Sequence, residues 1–234
     1  MDPNLNRRGV SSMTLEEISK KLKATLELGD SPVGVKLIKV GEELPEIAEP
    51  AHPTAYCGSI ASARQGESVL QRKDKHGCPL GAAILGLMKV PEKISSGEAH
   101  TKLRLFSSPA AASKTIREIP KIDPETIQAT VVFPLEKAPV EPEVIILHLT
   151  PRQAMWVGLA LNYTKGGRHF PSFACIGCAC GDATVVPYLR NTPNFSIGDF
   201  GGRARRAPEE MIVGIPGNLI REVVNNLEKL PRKE

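Results

Sequence analysis

EVIILHLTPRQAMWVGLALNY (143–163) is the stretch on which the fold class turns. It begins as EVIILHL (143–149), a short run of branched and long aliphatic residues of the kind that forms a buried strand. Thr150-Pro151-Arg152-Gln153 follows, with a hydroxyl at the N-cap, proline in the first turn and glutamine three residues on. Together these signal a helix start. The predicted helix is PRQAMWVGLALNY (151–163), whose apolar part AMWVGLAL (154–161) reads as buried. That run is well short of the ~18 apolar residues that mark a membrane span. A strand handing over to a helix through a tight cap is the building unit of folds that mix the two.

The same unit can be read on both sides of this stretch. Upstream, PVGVKLIKV (32–40) predicts a strand, and TAYCGSIASAR (54–64) a helix capped by Thr54 and ended by Gly66. HGCPLGAAILGLMKV (76–90) predicts a second helix that opens after Cys78, with Pro79 in its first turn. HTKLRLF (100–106) and IQATVVFPL (127–135) read as strands, with the helix PAAASKTIREI (109–119) between them. Downstream, GDATVVPYL (181–189) reads as a helix, EEMIVGIP (209–216) as a strand and GNLIREVVNNLEKL (217–230) as the last helix. At the other end, Thr14 and Glu17 form a capping box for a helix with Leu15, Ile18, Leu22 and Leu26 on one face.

The order strand, helix, cysteine, helix thus occurs twice. CPLGAAILGLMKVP (78–91) and CGDATVVPYLRNTP (180–193) share their first cysteine, a leucine near the end and their last proline at one offset of 102 residues. ATVVFPLEKA (129–138) likewise echoes MIVGIPGNLI (211–220). The expectation is an α/β fold, with α+β as the alternative, made of an internally duplicated strand–helix unit with pseudo-two-fold symmetry. Its parts are a disordered leader (1–13), an N-terminal helix (14–30) and two halves (31–135 and 140–230) in one compact body. In such a body Cys78 and Cys180 face each other across the internal axis, each at a positive helix end that favours thiolate.

Composition narrows the function classes. The 234 residues are 41% hydrophobic, enough to bury a core, and carry a net charge of +4. Aromatic residues make up 4%, which supplies few stacking surfaces and argues against a nucleic-acid partner. MDPNLNRRGVSS (1–12) lacks the apolar centre of a signal peptide, and nothing predicts a membrane partner. The expected location is the cytoplasm, where thiols stay reduced, so five cysteines argue against a disulfide framework. A homo-oligomer is compatible with this composition. Three of the five cysteines stand together in PSFACIGCACGDA (171–183), where Cys175, Cys178 and Cys180 form C-x-x-C-x-C. Three adjacent thiols between glycines are poor core material.

Several stretches together carry a family resemblance: SPVGVKLIK, CPLGAAILGL, SSGEAHTKLRLFSSPAAASKTI, ATVVFPLEKAPVEPEVIIL, PRQAM and EEMIVGIP. On these the chain resembles domain-of-unknown-function family 169, a set of uncharacterised archaeal and bacterial proteins, over nearly all of residues 31–230. The resemblance implies no reaction. It does imply cysteine at the positions of Cys57, Cys78 and Cys180, and a further cysteine in the segment SIGDFGGRAR (196–205). Here Asp199 stands near that last place, and Cys175 or Cys178 is expected to replace the missing thiol.

The leading expectation is therefore a thiolate-bound metal or iron–sulfur protein of redox or cofactor metabolism, with Cys57, Cys78, Cys178, Cys180 and Cys175 as metal ligands. The cofactor expected is an iron–sulfur cluster, with zinc or none as alternatives. A second reading is a metal-free enzyme with an activated cysteine, for which Cys78, Cys180, His76 and Asp182 are the candidates. His100 could face such a site, while His76 also reads as a solvated residue of the basic loop QRKDKHG (71–77). A third is a regulatory protein that binds a small anionic ligand through Arg203 and Arg205 in GDFGGRARR (198–206).

Overall fold

The computed structural model of the chain describes residues 13–200 and 207–231. Its strands are β1 (Val33–Lys39), β2 (Val69–Arg72), β3 (Ile127–Pro134), β4 (Val144–Leu149), β5 (Asn194–Ser196) and β6 (Met211–Pro216). They form one six-stranded sheet in the order β2-β3-β1-β4-β6-β5, and the paired neighbours are antiparallel throughout. The α/β class read from the sequence holds, in the sense that helices pack on antiparallel strands.

Side chains alternate across this sheet with the period of two that strands impose. Val33, Val35, Leu37, Val132, Val144, Ile146 and Ile212 belong to the core of one face. That face is covered by α2 (Tyr56–Arg64), α3 (Pro79–Ile84) and the helix that begins at Cys178. Ile145, Leu147, Leu149, Val213 and Ile215 belong to the other face, under α1 (Leu15–Leu26), α7 (Pro151–Asn162) and α9 (Ile220–Leu227). Beside them Ile38, Val131 and Phe133 pack with Leu44 and Ile47. Gly34 makes that packing possible, since a Cβ there would lie 2.2 Å from a ring carbon of Phe133.

The strand order is symmetric about the central pair. Gly34 stands opposite Ile145, with Val33 opposite Ile146 on one side and Val35 opposite Val144 on the other. Read outward, each side places its first strand, then its last, then its middle one. Pro134 faces Val33 and Pro216 faces Val144, and each proline leads into a 3-10 turn, Leu135–Lys137 and Gly217–Leu219. The helices do not follow the 102-residue register. Cys78 caps α3, which comes after β2, whereas Cys180 lies in a helix that comes before β5. Between β1 and β2 lies α2 alone, whereas α7 (Pro151–Asn162) and the helix containing Cys180 both lie between β4 and β5.

Other elements differ from expectation for local reasons. HTKLRLF does not form a strand: α4 (Glu92–Ser95), α5 (Glu98–Lys102) and α6 (Pro109–Glu118) form a helical cluster there. Gly97 turns the chain between the first two at φ 86°, so close to α6 that a Cβ would lie 2.1 Å from the Pro109 carbonyl oxygen. α3 ends at Ile84, just before Gly86 at φ 81°, well short of residue 90. Thr54 does not cap α2: Ala55 occupies the N-cap, and Thr54 forms a bridge with His76. α7 keeps its capping box, but Met155 and Leu159 are 51% and 44% exposed, so it is half-buried rather than enclosed. β2 and β5 were not expected. The leader at 1–12 lies outside the described residues.

Candidate functional site

α2, α3 and the Cys178 helix meet on one face of the sheet and enclose a cavity of about 410 Å³. Each contributes a thiol to its wall: Cys57 from α2, Cys78 from the start of α3 and Cys180. Cys78 holds the N-cap in extended conformation, and Pro79 fixes the first helical residue behind it. Its Sγ accepts from the Gly81 N–H at 3.4 Å, the role a serine or aspartate oxygen usually takes.

The third wall is a π-helix, Cys178–Val185, which continues into α8 (Val186–Arg190). Gly177 opens it at φ 72°. Wide turns of this kind are rare and recur at functional sites. The Thr184 hydroxyl donates to the Ala179 carbonyl at 2.8 Å and shares a hydrogen bond of 3.1 Å with the Tyr56 hydroxyl. That bond ties the π-helix to α2. Below, the π-helix rests on β6 at Gly214, where a Cβ would lie 2.0 Å from the Ala183 carbonyl oxygen.

The sulfurs of Cys78 and Cys180 are neighbours. A Cβ placed on Gly81 would lie 3.6 Å from the first and 3.7 Å from the second, so they are no farther apart than those distances combined. Asp199 joins them in the cavity wall. Its Oδ2 accepts from the Cys178 N–H at 2.7 Å, and the Cys178 thiol also hydrogen-bonds to it. Burial pushes the Cys180 thiol well above its ordinary range, and Cys78, Asp199 and Cys57 push it further. Cys178 is raised by burial and then by Asp199. Helix ends therefore do not favour thiolate at these two positions. Desolvation and crowding of like charges outweigh them.

The structure brings together Cys57, Cys78, Cys180, Cys175, Asp199 and His100, which all line the cavity. Cys178 is buried behind the wall beside Asp199. Asp199 and Cys175 thus both reach this wall, whereas Cys178 lies behind it. No disulfide joins any of the five cysteines. Among the described residues, no three His, Cys, Asp or Glu side chains stand at the spacing of a formed metal centre.

Two candidates lie elsewhere. His76 is buried rather than solvated, its Nε2 3.5 Å from the Thr130 hydroxyl and its ring near-parallel to Tyr56 at 6.4 Å. Burial lowers it to about 4. Asp182 turns to the opposite side, where its Oδ2 accepts from the Ser196 hydroxyl at 2.7 Å, and burial raises it to about 7. Neither lines the cavity. Arg203 and Arg205 lie outside the described residues. Tyr56 and Thr184, which lock two walls together, have no local signal in the sequence.

Comparison with known proteins adds kinship. The family described as "DUF169: Uncharacterised ArCR" matches residues 21–226. The chain is 35% identical over 219 residues to the uncharacterized protein MJ0308 of Methanocaldococcus jannaschii, covering 92% of this chain and 94% of that one. No solved structure matches it. Among the described residues no helix is long and apolar enough to cross a membrane.

Proposed function

Because this chain belongs to the DUF169 family, whose description names no chemistry, we propose a function from the cavity itself. It binds a soft metal or an iron–sulfur cluster through Cys57, Cys78 and Cys180, in a redox or cofactor-metabolism role. The observation that carries this reading is the convergence of four thiols, those of Cys57, Cys78, Cys175 and Cys180, and the Asp199 carboxylate on one cavity. Such a collection of potential anions, three of which push the buried Cys180 thiol further up, calls for a cation to offset it. Sulfur donors select iron, zinc and copper(I) over hard cations. Asp199, held by the Cys178 N–H, supplies the fourth donor.

The alternatives draw less support. The groups that raise Cys180 hold it as a thiol when no cation is present, which disfavours a metal-free nucleophile there. A small anionic ligand would meet Asp199 in this wall rather than a described cation.

Anaerobic purification followed by iron, sulfide and zinc analysis is the direct test. Bound metal is expected, reduced at least tenfold in Cys78→Ser and Cys180→Ser, reduced in Cys57→Ser, and retained in Cys175→Ser, whose thiol is exposed. Losing only a hydrogen bond that orients a metal ligand already costs ~10-fold or more. A protein that holds no metal after anaerobic purification and reconstitution sinks the reading.

A further inference from the structure

The cavity has a second wall of different character. Ile94 of α4, Leu103 and Leu105 beyond α5, Ile176 before the π-helix and Phe200 line the cavity together with the thiols. Leu103 and Phe200 are 59% and 46% exposed, so the apolar surface continues to the mouth. Within it stands His100, whose imidazole gives this wall a hydrogen-bonding group. An imidazole nitrogen either donates or accepts one hydrogen bond, according to tautomer.

We infer that the cavity takes a small, largely apolar organic molecule bearing one hydrogen-bonding group, a compound of about the size of a phenol. Its polar group meets His100, and its body lies against Ile94, Leu103, Leu105, Ile176 and Phe200. The inference rests on the metal-site reading above and names the substrate class of that same site. Size permits it: an apolar cavity of ~150 Å³ already accepts a benzene ring, and about 410 Å³ leaves room for a ring beside a metal at the thiol end. Charge restricts it, since the Asp199 carboxylate in the wall repels carboxylates and phosphates. Concave, mostly apolar chambers with a few placed polar groups are the usual form of small-molecule sites.

The probes are p-cresol and toluene, which share a ring and differ in one hydroxyl. Each is titrated into the full chain while the methyl NMR shifts of Ile94, Leu103, Leu105 and Ile176 are followed. A separate cobalt(II) titration reads thiolate-to-metal absorption. Saturable shifts at these methyls are expected, with p-cresol binding about fivefold tighter than toluene, the worth of one modest hydrogen bond. Ala99→Trp, which fills the cavity from α5, should weaken both probes at least tenfold and leave the cobalt spectrum unchanged. His100→Phe should keep toluene and lose the preference for p-cresol. Absence of saturable shifts, or binding indifferent to Ala99→Trp, overturns the inference. Should that variant fail to fold, an undiminished p-cresol preference in His100→Phe overturns it. Cobalt binding lost with probe binding intact would sink the metal reading alone, and the reverse outcome would sink only the substrate class.

Discussion

Asp182 and His76 were both candidates for chemistry, yet their surroundings give them a different consequence. Folding raises Asp182 from 3.8 to about 7, through burial first, so the native state keeps a proton that the unfolded chain releases between those values. Its contribution to stability is full below pH 3.8 and is lost as pH rises through about 7. Folding lowers His76 from 6.5 to about 4, again through burial, so its contribution is present above 6.5 and lost as pH falls through about 4. The two work in opposite senses across the same acidic range. Asp182→Asn keeps an acceptor for Ser196 and should gain up to a few kcal/mol at pH 8, at ~1.4 kcal/mol for each tenfold change in proton affinity. His76→Phe, which keeps a ring beside Tyr56, should flatten the acid limb. Urea denaturation at a series of pH values reads both, and an unchanged profile in either variant would count against the assignment. At this scale the resemblance made Cys57, Cys78 and Cys180 legible as one group. Where His76 and Asp182 point was not legible, because adjacency in sequence to Cys78 and Cys180 says nothing about which side of a wall a side chain takes.

Elements with caps could be read from the sequence, and elements defined only by their neighbours could not. Thr150 and Gln153 announced α7 because a capping box is written in side chains, and both bonds are present. Thr150→Ala should cost ~1 kcal/mol, read by thermal unfolding, without altering metal uptake, since α7 packs on the far face. The π-helix was hidden because the width of a hydrogen-bonded turn leaves no apolar period behind. β2 and β5, of four and three residues, are too short to show alternation. The segment 100–106 alternates without a sheet partner, and Gly97 commits it to the helical cluster. Contact between the π-helix and β6 at Gly214 makes the sharpest prediction at this scale. Gly214→Ala sets a methyl where the Ala183 carbonyl oxygen lies. It should destabilise the protein by ~1–3 kcal/mol and lower metal occupancy by shifting Cys180. Equal occupancy in a folded Gly214→Ala protein would show that the π-helix does not need its present seat.

Taken whole, the molecule places its thiols on helices that belong to both sides of the central β1–β4 pair. α2 and α3 flank β2, whereas the π-helix lies over β6, β4 and β5. A ligand shared by them is therefore coupled to the entire sheet. Metal should raise the melting temperature of one cooperative transition, with a stabilisation of ~4 kcal/mol when its free concentration is a thousandfold above the dissociation constant. Calorimetry with and without a chelator tests this, and an unshifted main transition would deny the coupling. Of the repeat expected from the sequence, the strand order shows a symmetric arrangement and the helices do not. In the strand order 129–138 and 211–220 take matching places as β3 and β6 with their turns, although β3 has eight residues and β6 six. Helices on top are free to move along the chain, and the match of Cys78 with Cys180 joins unlike positions that happen to converge.

Gly81 gives that convergence a practical use. Alanine is the better helix former by ~1 kcal/mol, and its methyl would stand at ordinary contact distance from both Cys78 and Cys180 sulfurs. Gly81→Ala is thus a mild steric probe: a protein of equal or greater stability, with the same donors, in which one added methyl touches both sulfurs and should lower metal content if they close on one centre. Comparing its metal content with that of the serine variants would separate the geometry of the donors from their chemistry.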